Sequence, residues 1–314
     1  MIQIYRKLMT DDHLFTQKEI TVGSWIHLTA PTEQEICEVS KKLDLEPDFF
    51  IRILDDEEQP RVDTEENQQL IIIDVPKRYM RHGQSQVKAY PLGILLLRDQ
   101  YVVTISNKEF EFMQLFQEDK VKEFYTDHKS RFVIQILYQV ATYYLKGLKL
   151  INQDIEATED LMFTSTSNRD LAKMLSLEKA LVYFSTSLRE NAVVLEKISK
   201  GNVIPLFQED ADLFDDAIIE NSQGIEMANL YREILSSMTD SFATVISNNL
   251  NGVMKFLTGI TIVISIPTMV ASFLGMNVPL GSFQSNPFSF WILICISILV
   301  SLIVAFVLRK KNML

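Results

Sequence analysis

Apolar and polar positions follow three regimes along the chain. Up to about residue 125, short runs rich in β-branched and aliphatic residues are bounded by Gly, Pro or charges and predict strands: Ile2 to Tyr5, Ser24 to Leu28, Gln69 to Val75, Ala89 to Leu97 and Tyr101 to Ile105. Thr32-Glu33-Gln34-Glu35 before Ile36 has the capping-box spacing, so a helix is expected to start there. Asp55-Asp56-Glu57-Glu58 reads as a solvated loop. From about Lys129 onward Gly and Pro nearly vanish, and Ile134, Leu137, Val140, Tyr144, Leu148, Ile151 and Ile155 recur at three- and four-residue intervals, which predicts long amphipathic helices. A second helical run, about Asn168 to Lys200, is broken by Gly201-Asn202-Val203-Ile204-Pro205. A third begins near Asp210 and meets no Pro until Pro267, so one helix of roughly 60 residues, about 90 Å at 1.5 Å per residue, is expected to form a stalk entering a bilayer.

The third regime is apolar throughout. The 53 residues from Phe256 through Leu308 contain no Asp, Glu, Lys, Arg or His. A spanning helix needs roughly 20 apolar residues, and the run holds two such blocks, Phe256 to Leu274 and Phe288 to Leu308, separated by a Gly- and Pro-containing break from Gly275 to Pro287. Lys255 precedes the first block and Arg309, Lys310 and Lys311 follow the second, which places both chain ends on the cytoplasmic side of a cell membrane. The start, Met1 to Lys7, lacks the apolar core of a signal peptide, so the N-terminal part is not expected to be exported.

Charge sharpens the division. Three of the 30 basic residues lie beyond the second span, so residues 1–255 hold 27 Lys plus Arg against all 41 acids, a balance of −14. Such a surface repels nucleic acid and anionic headgroups and enriches cations, although solubility alone also accounts for it. Cys37 and Cys295 form no disulfide framework, and His13, His27, His82 and His128 lack ligand spacing, which argues against a zinc site of the usual kind. No P-loop, dinucleotide glycine pattern or nucleophile elbow is present, so an enzyme or an ATP-driven pump is not expected.

On the long helix, every third and fourth position gives Ser237, Asp240, Thr244, Ser247, Asn251, Met254, Thr258, Thr261, Ser265, Thr268, Ser272 and Gly275. A soluble coiled-coil seam would carry Leu, Ile or Val there. Close helix packing in a membrane explains any one of these residues. The whole stripe, unchanged in phase from Asp240 to Gly275, points instead to a water-filled lumen. Two spans cannot enclose one, so several copies must surround an axis, with the apolar second span outside against lipid.

The triplet Gly275-Met276-Asn277 follows a span that begins Asn251-Gly252-Val253-Met254-Lys255-Phe256-Leu257-Thr258 and precedes a second span ending in Arg309-Lys310-Lys311. This combination resembles the CorA family of magnesium channels, as does Gln59-Pro60-Arg61-Val62, which is similar to the family's RPR(V/I) segment. The resemblance covers essentially the whole chain. It implies an α/β cytoplasmic domain, a long stalk helix and two C-terminal spans, assembled as a homopentameric funnel in the lipid bilayer. The parts are then a cytoplasmic α/β domain at 1–128, a helical hairpin at 129–209, a stalk at 210–274 that becomes the first span at about 254–274, an outer loop at 275–287, a second span at 288–308 and a basic tail at 309–314.

The resemblance further implies that Gly275, Met276 and Asn277 form the outer ion-binding ring, that Met254 and Leu257 constrict the cytoplasmic end of the pore, and that Asp240 supplies an acidic ring below. Magnesium sheds water reluctantly and prefers oxygen ligands, so neutral Asn277 carboxamides suit a hydrated ion, while Asn251, Thr258, Thr261 and Thr268 offer successive weak sites. By the same resemblance Mg²⁺ is also regulatory, bridging neighbouring cytoplasmic domains, with Glu111 and Asp216, near Asp215 and Glu220, as the candidate ligands. The sequence departs from the family pattern in four places. Val278 to Pro287 carries no acid where an MPEL segment is frequent, Ser265 replaces a bulkier residue, Leu274 replaces the common Tyr, and Pro267 sits one position off. Alternative readings are a zinc, Co²⁺ or Ni²⁺ transporter of the same superfamily and a non-conducting, membrane-anchored sensor or scaffold.

Overall fold

A computed structural model describes residues 1–65, 68–81, 84–97, 100–162, 168–201, 203–276 and 288–311. The chain divides into two compact units, Met1–Met238 and Thr239–Leu314.

The first unit is built on a seven-stranded sheet. Its strands are β1 (Ile2–Arg6), β2 (Phe15–Gln17), β3 (Ser24–Thr29), β4 (Arg61–Glu65), β5 (Gln68–Arg81), β6 (Gln84–Leu97) and β7 (Tyr101–Ser106), in the order β2-β1-β3-β7-β6-β5-β4. Among the described residues only β3 and β7 pair in parallel. The crossover between them carries two helices, α1 (Glu33–Leu43) and α2 (Pro47–Ile53). Thr32 caps α1 through the expected reciprocal pair with Glu35, and Asp44 closes it in the left-handed conformation.

Alternation along the strands sends Ile26, Leu28, Leu70, Ile72, Leu95, Leu97, Val103 and Ile105 to one face, where they bury Ile36, Val39 and Leu43 of α1 and Phe50 and Ile53 of α2. Gly93 of β6 permits this close approach, because a Cβ there would lie 2.5 Å from Ile53 Cγ2. The intervening strand positions include Trp25, fully buried in an aromatic cluster with Tyr5, Phe116 of α3 (Glu111–Gln117), Phe124 and Phe132 of α4 (Lys129–Met162).

Helix α5 (Asn168–Ser199) packs on α4 and on β5 and β6. Gly147 of α4 brings the two helices together, with its missing Cβ 2.9 Å from the Phe184 ring. Where α5 meets the sheet, Asn191 accepts from the Asp74 N–H at 2.8 Å and donates to the Asp74 carbonyl at 2.9 Å. Sequence explains why a side chain is needed there. The β4–β5 pairing has ended at Arg61 and Ile72, so Asp74, two residues on and facing the same edge, has no strand partner there.

A short 3₁₀ turn at Gln208–Asp210 precedes α6 (Ala211–Leu274), and α7 (Ser289–Lys310) completes the chain. The acidic run at 55–58 is a turn, as expected, but it is not merely solvated. Asp56 pairs with Lys108 at 3.5 Å and accepts from Asn107 at 3.0 Å, and Glu58 pairs with Arg61.

Candidate ion-conduction site

The second unit contains the C-terminal part of α6 and all of α7. Both are long and apolar enough to cross a membrane. On α7 the buried residues are Ser297, Ser301 and Leu308, which share one face at spacings of four and seven. The second span is therefore not apolar all round, as its many Ile, Leu and Val residues suggest. It carries a narrow seam of small hydroxyl residues, and Ser301 donates its proton to the Ser297 carbonyl at 2.8 Å. Such seams let membrane helices approach closely.

On α6 within this unit, Gly259 is buried and Ile260, Val263, Ile266 and Val270 are half-buried. Thr261, Ser265, Thr268 and Ser272 are exposed. At 100° per residue the mean directions of the two sets lie about 180° apart. The hydroxyl stripe thus faces away from the covered side of its own helix. The other expected lining positions on α6, Asp240, Asn251, Met254, Leu257 and Thr258, are exposed as well. So are large apolar residues between the two sets, such as Ile262, Ile264 and Phe273, as lipid contact requires.

The hydroxyls have a fixed sense. Thr261 donates to the Leu257 carbonyl at 2.8 Å, Ser265 to the Thr261 carbonyl at 2.7 Å and Thr268 to the Ile264 carbonyl at 3.1 Å. With the proton committed to the preceding turn, each oxygen presents lone pairs outward. Thr261, Ser265, Thr268 and Ser272, together with Ile264 and Met269, line a shallow groove of about 510 Å³. It holds oxygen acceptors but no thiolate or imidazole, a donor set suited to hard, hydrated cations rather than to Zn²⁺.

At the end of α6 the Gly275 N–H donates to the Ala271 carbonyl at 3.0 Å, and Gly275 and Met276 are exposed. Asn277 and the loop that follows, through Pro287, lie outside the described residues. Among the expected regulatory acids, Glu111 opens α3 and is exposed, Asp215 and Asp216 are exposed on α6, and Glu220 is half-buried. Within one chain they do not converge, and among the described residues no group of three His, Cys, Asp or Glu side chains could hold a metal.

The first unit has a cleft of about 750 Å³ lined in part by Glu123, Arg131 and Asp210. Its central cation is already engaged, since Arg131 bonds Asp210 at 2.7 Å and also pairs with Glu123.

Known proteins share this fold. The CorA magnesium transporter of Methanocaldococcus jannaschii superposes with a TM-score of 0.83 at 24% identity, covering 100% of this chain and 99% of that one. In sequence, the cobalt/magnesium transport protein CorA of that organism is 26% identical over 292 residues, 92% of this chain and 90% of the relative. The cytoplasmic domain of ZntB from Vibrio parahaemolyticus shares the fold at a TM-score of 0.60 and 11% identity over 78% of this chain and 98% of that one. A family model described as CorA-like Mg²⁺ transporter protein matches residues 22–310. The chain belongs to the CorA-like Mg²⁺ transporter family, and is a membrane transport protein rather than an enzyme.

Proposed function

We propose that the chain assembles as a homopentamer in a cell membrane, with both termini cytoplasmic, and conducts hydrated Mg²⁺ through an axial pore lined by its first span. The observation that carries this reading is the outward stripe of Thr261, Ser265, Thr268 and Ser272, set opposite the covered face of α6. One chain's two spans cannot enclose water, so identical copies must close the lumen.

The chemistry follows from the donor set. The water shell of Mg²⁺ presents O–H donors, and hydroxyl and amide oxygens accept from that shell without stripping it. In this scheme Gly275, Met276 and Asn277 form the outer selectivity ring, Met254 and Leu257 the hydrophobic gate, and Asn251, Thr258, Thr261, Ser265, Thr268 and Ser272 the intervening weak sites. Asp240 concentrates cations at the inner end. For a divalent ion the membrane potential supplies about 4.6 kcal/mol per 100 mV, so uptake needs no coupled energy source. Regulatory Mg²⁺ would neutralise Glu111 of one subunit against Asp215, Asp216 and Glu220 of its neighbour. Cobalt, named for the archaeal relative, is a competing cargo of the same charge.

The test is Mg²⁺ uptake into proteoliposomes under an inside-negative potential. Wild type is expected to take up Mg²⁺ faster than Zn²⁺, and Asn277→Ala to lose most of that flux. Full uptake by Asn277→Ala would remove Asn277 from the selectivity ring, and no wild-type uptake above that of protein-free liposomes, together with a monomeric mass in detergent, would overturn the proposal and leave a tethered scaffold. A Zn²⁺ flux that dominates and follows a pH gradient would favour proton-coupled zinc transport.

A further inference from the structure

Asp74 of β5 is 9% exposed and sits where α5 docks on the sheet. Besides the Asn191 clamp on its backbone, its Oδ2 accepts from Ser187 Oγ at 2.6 Å. Tyr144 of α4 is fully buried, and its phenol feels both Asp74 and Ser187. Two charges face the carboxyl, Glu190 from α5 and Lys88 from β6. Burial pushes Asp74 up to about 6, Glu190 pushes the same way, and the Ser187 hydrogen bond and Lys88 pull it down. The Tyr144 phenol is raised by its own burial and then by the Asp74 charge. Nothing in ion conduction uses these groups.

An ionised Asp74 has one hydrogen-bond donor from a side chain, no ion pair among the described residues, and a like charge nearby. Protonation removes that charge and its repulsion from Glu190. We propose that Asp74 is a proton-operated latch between the sheet and the α4–α5 pair, in which the neutral carboxyl seats residues 185–192 on β5 and ionisation loosens that seat. Local opening at this joint then rises with pH through the mildly acidic range and levels off above neutrality.

Hydrogen exchange on the full-length protein in lipid nanodiscs tests this directly and needs no assumption about transport. Protection factors of amides in 70–76 and 185–192, corrected for intrinsic rates, are expected to fall about tenfold between pH 5 and pH 7.5 for a carboxyl raised to about 6. Asp74→Asn should be flat over this range. Glu190→Gln should move the midpoint to lower pH and Lys88→Gln to higher pH, which keeps the test decisive if Asp74→Asn fails to fold. The latch is overturned if wild-type protection does not change with pH, if Asp74→Asn keeps the wild-type profile, or if β1 and β3 amides follow the same curve, which would mark global unfolding.

Discussion

The Trp25 indole donates to Thr104 Oγ1 at 2.8 Å across the parallel pairing of β3 with β7. Thr104 Oγ1 also lies 2.8 Å from His27 Nδ1, and His27 Nε2 lies 2.9 Å from Thr29 Oγ1. An indole N–H can only donate, so Thr104 accepts from Trp25 and keeps its proton and a second lone pair for its other neighbours.

Thr104→Val keeps the shape but leaves the Trp25 N–H and His27 Nδ1, both buried, without this partner. We expect a loss of roughly 3 kcal/mol, with Thr104→Ser recovering most of it. Denaturant unfolding followed by tryptophan fluorescence measures both. Equal stability of the Val variant and wild type would mean the chain of donors does not hold.

Burial, followed by the nearby N-terminal charge, lowers His27 to about 4. The unfolded imidazole, at an ordinary 6.5, takes up a proton before the folded one does. Stability from this group is therefore complete above pH 6.5 and lost as pH falls through 4, by about 3 kcal/mol in all. Asp74 acts in the opposite sense, because a raised carboxyl stabilises the fold below the unfolded value and this contribution is gone once pH passes 6. The two offset between pH 4 and 6. Asp74→Asn should thus steepen acid destabilisation, and a His27→Gln variant that folds should flatten it or reverse its sign, as melting temperatures across pH would show.

Gly93→Ala places a methyl 2.5 Å from Ile53 Cγ2 and 3.0 Å from Ile105 Cγ2. Both neighbours are fully buried, so overpacking should destabilise by roughly 1–3 kcal/mol. Adding Ile53→Val should return part of that loss, since both shortfalls concern one site. Strict additivity of the two effects would contradict the packing seen at α2.

Thr268→Val should slow Mg²⁺ flux several-fold without altering assembly, because it replaces an outward oxygen with a methyl of similar volume. Ser297→Leu, on the covered face of α7, should instead lower the yield of folded protein while leaving per-molecule flux intact in what survives. Flux in proteoliposomes, normalised to protein and read beside size-exclusion profiles, separates them. The assignment of faces fails if the two variants exchange phenotypes.

Much of this architecture was legible because its signals are periodic or absolute. The five expected strands, the Thr32 cap, the three long helices and the uncharged hairpin each follow from spacing or composition. The short strands β2 and β4 were not, since Phe15–Gln17 and Arg61–Glu65 hold few apolar residues and are specified by pairing with neighbours. Helices α2 and α3 have seven residues each, too few to show a period. At the candidate site the stripe could be read from its phase, but its direction could not, because phase alone does not say which face of α6 meets α7. The Ser297–Ser301 seam was visible as an i, i+4 pair and was obscured by the apolar residues around it. Asp74 was hidden altogether, as only the fold brings α5 across it.

The back-bonded hydroxyls of α6 also set the sign of what they attract without any formal charge. An anion needs donors, and Thr261, Ser265 and Thr268 have turned theirs toward their own backbone. A passage with such walls discriminates by the orientation of dipoles that do not titrate in the physiological range. Its preference for cations should therefore hold at any cytosolic acidity, leaving pH to act elsewhere in the molecule.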